Sequence, residues 1–159
     1  MNWRKPIVGI FIGLLSSQIG LAQTGRVNDG FKVADTDWPW WRGPHRNGEA
    51  SPKQSPPNAW SVDKNILWKA PIGGRGYGSP IVFENMVVLQ TADEESGSQM
   101  VMALRRDTGS VLWETVVHKN GGMRKNPKST AASNTAAWDG ERLYVNFANS
   151  DAVYLTCLD

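Results

Sequence analysis

Ala103-Leu104-Arg105-Arg106-Asp107-Thr108-Gly109-Ser110-Val111-Leu112-Trp113 is the stretch on which the fold turns. An apolar segment enters it, Asp107-Thr108-Gly109 breaks it, and a β-branched and aromatic segment leaves it. Gly109 can hold positive φ in a tight turn between strands, where other residues are strained. Thr108 can hydrogen-bond the turn backbone. Trp113, four residues past the glycine, offers a large flat face for packing.

The same texture extends outward in both directions. Short apolar runs separated by turn residues predict strands at 66–72, 80–83, 86–91, 100–105, 111–117, 135–138, 143–147 and 152–158. Their length and their β-branched and aromatic content are those of strands, and no stretch past residue 23 sustains a helical period. Asp139-Gly140 is a strong hairpin signal, and Glu84-Asn85 holds the matching place in an earlier pair. Eight Trp, 16 Gly and 9 Pro agree with an all-β chain rich in turns and aromatic anchors.

The runs also repeat. Ile66-Leu67-Trp68 returns as Val111-Leu112-Trp113, 45 residues on. Pro80-Ile81-Val82-Phe83 returns as Thr135-Ala136-Ala137-Trp138 after 55, and Ala103-Leu104 as Cys157-Leu158 after 54. The longer spacing places an insertion of about ten residues in the loop 118–134. A period of roughly 40–55 residues with four strands per unit predicts the blades of a β-propeller, which bury their faces by stacking around a channel.

The eleven-residue stretch resembles the tryptophan-docking motif of pyrroloquinoline-quinone (PQQ) type propellers. Ala103, Thr108, Gly109 and Trp113 match it, and Arg105 stands where the family prefers Asp or Asn. A second copy begins at Cys157 and reaches Asp159, which fills the acidic position. The Trp38-Pro39-Trp40-Trp41-Arg42-Gly43-Pro44 segment, with Asn47-Gly48, is similar to the opening of an exported bacterial group of PQQ-like propellers. In that group, as here, a Trp-Lys strand (Trp68-Lys69) precedes a Gly-rich turn and Ser79-Pro80. The resemblance covers residues 38–159 and implies a fold more than an activity; the motif tryptophans it implies are structural. Seven or eight blades at this period need more than about 300 residues. These 159 residues are therefore read as an N-terminal portion with one complete blade and parts of its neighbours. Residues 23–159 alone are expected to be weakly stable or to aggregate through open edges.

The N-terminus carries an export pattern. Arg4 and Lys5 precede an apolar run at 7–15, and small residues at Gly20 and Ala22 suit cleavage after Ala22. The run is too short for a spanning helix, which needs about 20 apolar residues. The organisation expected is a signal peptide at 1–22, a leader and Trp-rich segment at 23–60, and propeller repeats at 61–159, in an exported, periplasmic or secreted protein. With Arg4 and Lys5 removed, fifteen basic residues balance fifteen acidic ones, which argues against nucleic acid as a partner. Cys157 is the only cysteine, so an internal disulfide and a cysteine-pair zinc site are excluded.

Three segments carry candidate binding residues. Trp38, Trp40 and Trp41 read as a hydrophobic clasp, with an aromatic platform for a sugar or quinone as the alternative. His118, Lys119, Arg124, Lys125 and Lys128 lie in a loop without acidic residues. That loop reads as solvated surface or as a cationic holder of an anionic ligand such as PQQ. Gly73-Gly74-Arg75-Gly76-Tyr77-Gly78 is Gly-rich, but no helix follows, so it reads as a demanding connection rather than a phosphate cradle. Arg75 and Tyr77 can face the channel from it.

The resulting function is a binding or scaffold propeller with a protein partner or small ligand, as in the similar propeller lipoprotein of the outer-membrane assembly machine. Alternatives are a quinoprotein dehydrogenase of alcohols or sugars, for which the resemblance implies PQQ and a calcium ion, and a carbohydrate-binding propeller suggested by Trp and Tyr content. The dehydrogenase family's adjacent cysteine pair does not occur in these residues, and no calcium-ligand set is assignable in them.

Overall fold

The computed structural model describes residues 31–120, 122–123, 126–150 and 152–159. The export segment 1–22, Arg124 and Lys125 lie outside the described residues.

Among the described residues every regular element is a strand. In chain order these are β1 (Ile81–Phe83), β2 (Met86–Asp93), β3 (Ser98–Arg105), β4 (Val111–His118), β5 (Ala137–Trp138), β6 (Leu143–Ala148) and β7 (Val153–Leu158). β1-β2-β3-β4 form one four-stranded antiparallel sheet and β5-β6-β7 a three-stranded one, each strand beside its sequence neighbour. This is one full blade and three strands of the next. The turns predicted at 84–85 and 139–140 both join adjacent strands.

The period of two decides how the blades meet. Register pairs Val88 with Ala103, Gln90 with Val101 and Ala92 with Gln99, so these side chains share one face of the first sheet. That face packs on Leu143, Val145 and Phe147 of β6, which alternate with half-buried residues. Small side chains (Ala92, Ala103, Ala131, Ala132, Ala136) let the two sheets approach closely, and Phe83 stacks on Trp138 with ring centroids 4.2 Å apart. Burying these apolar faces is the main stabilising term, roughly 25 cal/mol per Å² removed from water. β4 is kinked by irregularities opposite Gln99/Met100 and Ala103/Leu104 and is mostly exposed.

One expected strand does not form. Residues 66–72 pair with no sheet among the described residues, and Leu67 is 90% exposed. The segment carries a strand-like composition and a tryptophan matching Trp113, but no described strand lies at its edge to supply a ladder. Periodicity registers a residue's preference, whereas a strand needs a partner.

Candidate functional site

Antiparallel order sorts the connections to two ends of the blades. The turns after β1, β3 and β5 lie at one end. The turns after β2 and β6, and the long loop after β4, lie at the other.

The second end carries the Gly-rich segment. Thr91 Oγ1 donates to the Gly73 carbonyl at 2.6 Å. Arg75 N–H donates to Ala92 O at 2.8 Å, and Ala92 N–H returns the bond to Arg75 O at 3.1 Å. Tyr77 N–H donates to Ala132 O at 2.9 Å, and Ser79 N–H donates to Thr135 Oγ1 at 3.0 Å. One short extended run is thus pinned both to β2 and to the loop that leads into β5. The even-numbered glycines explain the composition: a Cβ on Gly76 would collide with the Gln90 carbonyl, and one on Gly78 with that of Asn134. The side chains of Arg75 and Tyr77 point away, and Tyr77 is 56% exposed. Arg75 Nη2 donates to Tyr77 Oη at 2.6 Å, with the guanidinium 5.2 Å from the ring centroid. The connection expected from sequence is present, and it brings Arg75 and Tyr77 together.

His118 ends β4 and is half-buried between the blades. Its ring lies edge-on to Phe147 at 5.9 Å and tilted against Tyr154 at 5.1 Å, and its buried Nε2 has no hydrogen-bond partner. It is a wall of the interface more than a feature of a cationic loop. Lys119 and Lys128 are exposed.

Sequence reasoning did not single out a seam of amides beside this end. Gln90 Nε2 donates to Asn146 O at 2.9 Å; Gln99 Nε2 donates to Ala131 O at 3.0 Å and Ala148 O at 3.2 Å. β5 pairs only with residues 143–144 of β6, and these amides satisfy the Asn146 and Ala148 carbonyls further along β6 and the Ala131 carbonyl of the loop before β5. The signal was readable: two glutamines at core-facing positions in otherwise apolar alternation, where a buried amide must find partners.

The first end is crossed by the Trp-rich segment. Trp38 exchanges both backbone hydrogen bonds with Val82 of β1, at 2.5 and 2.9 Å, and Pro39 O accepts from Trp138 N–H of β5 at 2.9 Å. Buried Asp37 pairs with Arg106 at 3.2 Å, and Arg106 Nη2 donates to Thr36 O at 2.7 Å. Phe31 meets Trp138 edge-on at 4.9 Å. Trp38 and Trp40 are half-buried in this clasp, whereas Trp41 is 64% exposed. Asp37 and Arg106 were not marked in the sequence, since an ion pair between residues 69 apart leaves no local pattern.

The motif residues cluster at the same end. Trp68 Nε1 donates to the Arg106 carbonyl at 2.9 Å, and its ring lies where a Cβ on Gly109 would sit. Gly109 has a φ of 72°. Thr108 Oγ1 accepts from Ser110 N–H at 3.4 Å. Ala103 is fully buried. Arg105, at the family's acidic position, instead pairs with Asp107 at 3.1 Å, which holds the Asp107 carboxyl below its ordinary range. Trp113 lines a cavity of about 350 Å³ with Phe83, Met86, Trp138, Leu158 and Asp159. Asp159 is exposed, 3.8 Å from Arg142 Nε.

Calcium takes six to eight oxygens, carboxylates prominent among them. The described residues contain no group of three or more His, Cys, Asp or Glu side chains able to hold a metal. The amide seam is neutral; its glutamine nitrogens bond backbone carbonyls, and the buried side-chain oxygens of Gln90, Gln99, Asn146 and Asn149 have no hydrogen-bond partner among the described residues. No helix among the described residues is long and apolar enough to cross a membrane.

No curated protein matches the sequence. A family model described as outer membrane protein assembly factor BamB matches residues 58–159, the span that folds into the two meandering sheets and the tryptophan-anchored segment before them. The chain belongs to this family of PQQ-like β-propeller repeats.

Proposed function

We propose that this chain acts as a binding or scaffold module of an exported protein, engaging its partner through the end of the blades that carries residues 73–78. The observation that supports this most is the pinned run itself: backbone bonds fix it to Ala92 of β2 and to Ala132 of the loop that leads into β5, while Arg75 and Tyr77 stay exposed. A rigid backbone bearing exposed polar and aromatic side chains loses little conformational entropy on binding. The export pattern at 4–22 supports delivery outside the cytoplasm. The matched family's description names an assembly factor, a role exercised through protein contacts. Trp68 and Trp113 serve as blade-to-blade docks in this reading, Trp68 through its bond to Arg106 O.

The test is retention of envelope proteins by the immobilised full-length protein and by an Arg75→Ala/Tyr77→Ala variant of equal thermal stability. A partner held by the first and released by the second supports the reading. Equal retention by both overturns the assignment to this end. PQQ- and calcium-dependent dye reduction would favour the dehydrogenase instead, and glycan-dependent Trp fluorescence would favour a sugar binder that uses exposed Trp41 or Trp60.

A further inference from the structure

We infer that Arg75 and Tyr77 form a receptor for a small oxyanion group, a carboxylate or a phosphate, at the end of the blades opposite the Trp38–Pro39 crossing. The inference rests on the binding reading above and names the chemistry that the face takes.

The direction of one hydrogen bond carries the argument. Arg75 Nη2 donates to Tyr77 Oη at 2.6 Å, so the phenol oxygen is the acceptor and its own O–H is released to donate elsewhere. The guanidinium has five N–H donors in a planar fork and uses one here. The described residues place no carboxylate in an ion pair with Arg75. Guanidinium N–H groups and a phenol O–H therefore stand side by side, with no ion-pair partner for the guanidinium among the described residues. An oxyanion is the ligand that two adjacent donor types of this kind recognise, and charge-assisted bonds to it are the stronger class.

The backbone fixes the pair in advance. In an extended run, side chains two residues apart share a face, and here residues 74, 76 and 78 are glycines pressed toward carbonyls of both blades. No alternative register is available to the run, because any Cβ at 76 or 78 would strike backbone. Tyr77 is held neither by burial nor by packing into the core, yet its hydroxyl meets Arg75. The ring also lies 5.2 Å from the guanidinium, so Tyr77 holds Arg75 in place as well as adding a donor beside it. At the other end, residues 38–39 cover the β1 and β5 edges.

The experiment is a titration of the ¹⁵N-labelled full-length protein with sodium phosphate and, separately, sodium acetate, at ionic strength held constant with chloride. The readout is the arginine Nε–Hε resonances. The expected result is a saturable shift of one arginine resonance, absent in Arg75→Gln, with affinity lowered roughly three- to tenfold in Tyr77→Phe for the loss of one donor. Phosphate ahead of acetate assigns a phosphate group, and the reverse order a carboxylate. Absence of saturation with both anions, or a response retained in Arg75→Gln, overturns the inference. Partner retention that still depends on the Arg75→Ala/Tyr77→Ala pair would, in that case, leave the binding reading standing. Circular dichroism of both variants should match the parent, since these side chains are exposed.

Discussion

Gly109 holds a φ of 72° with the Trp68 ring lying against its α-carbon. A Gly109→Ala change meets a left-handed backbone, costing about 1–2 kcal/mol, and also displaces the indole. The expected result is a clear fall in the denaturant midpoint. Trp68→Phe keeps the packing but leaves the Arg106 carbonyl without its donor, and should cost about 1 kcal/mol in the same measurement. Asp139 provides a pH test. Its carboxylate accepts from the backbone N–H groups of Arg142 and Glu141 at 2.8 and 3.0 Å, and from the Tyr144 hydroxyl at 3.0 Å. Those bonds, Arg142 first, hold its pKa below the ordinary value. A depressed carboxyl contributes stability that is present above its unfolded pKa and fades as pH falls through the folded one. Unfolding midpoints should therefore drop in acid below about pH 4, the ordinary Asp range, and drop less steeply in Asp139→Asn, which keeps one acceptor and does not titrate. Gly109 and Asp139-Gly140 were legible as turn residues because their chemistry is local. Arg106 was not, because its value comes from Asp37 and Thr36, far upstream.

The strands themselves were legible for the same reason in reverse. β2, β3, β4, β6 and β7 appear where the short apolar runs predict them, since each finds a neighbour two to five turn residues away. The 66–72 run shows the limit: its composition is that of a strand, but pairing depends on an edge that its own sequence does not encode. The crossing at 37–39 was legible as a clasp but not as backbone pairing, because Trp38 and Pro39 join β1 and β5 through main-chain groups common to all residues. Arg106→Ala tests this element. It leaves Asp37 buried without its cation, which costs about 3 kcal/mol. Amide hydrogen exchange at Val82 and Trp138 should rise at least tenfold while Val101 in β3 stays protected. Equal acceleration of all three would mean that Arg106 acts only on global stability.

At the scale of the molecule, the open features are edges. β7 has no described strand on its far side, and Val153 and Leu155 are 69% and 73% exposed. Such an edge templates pairing with another chain. The 159-residue chain studied alone should self-associate with rising concentration, and Leu155→Lys should suppress this in sedimentation velocity without lowering the thermal midpoint. The amide seam contributes differently: Gln90 and Gln99 reward the correct stacking of blades, since a shift would strand their amide N–H groups in the apolar interface.

The crossing at 38–39 also imposes an order of events. Trp38 can find Val82 once the first blade exists, but Pro39 must wait for Trp138, nearly a hundred residues later. Chains emerge N-terminus first, and distant pairings carry the larger loop-closure cost. A segment that arrives before either blade is therefore seated last, and its seating reports that two blades have already been laid side by side.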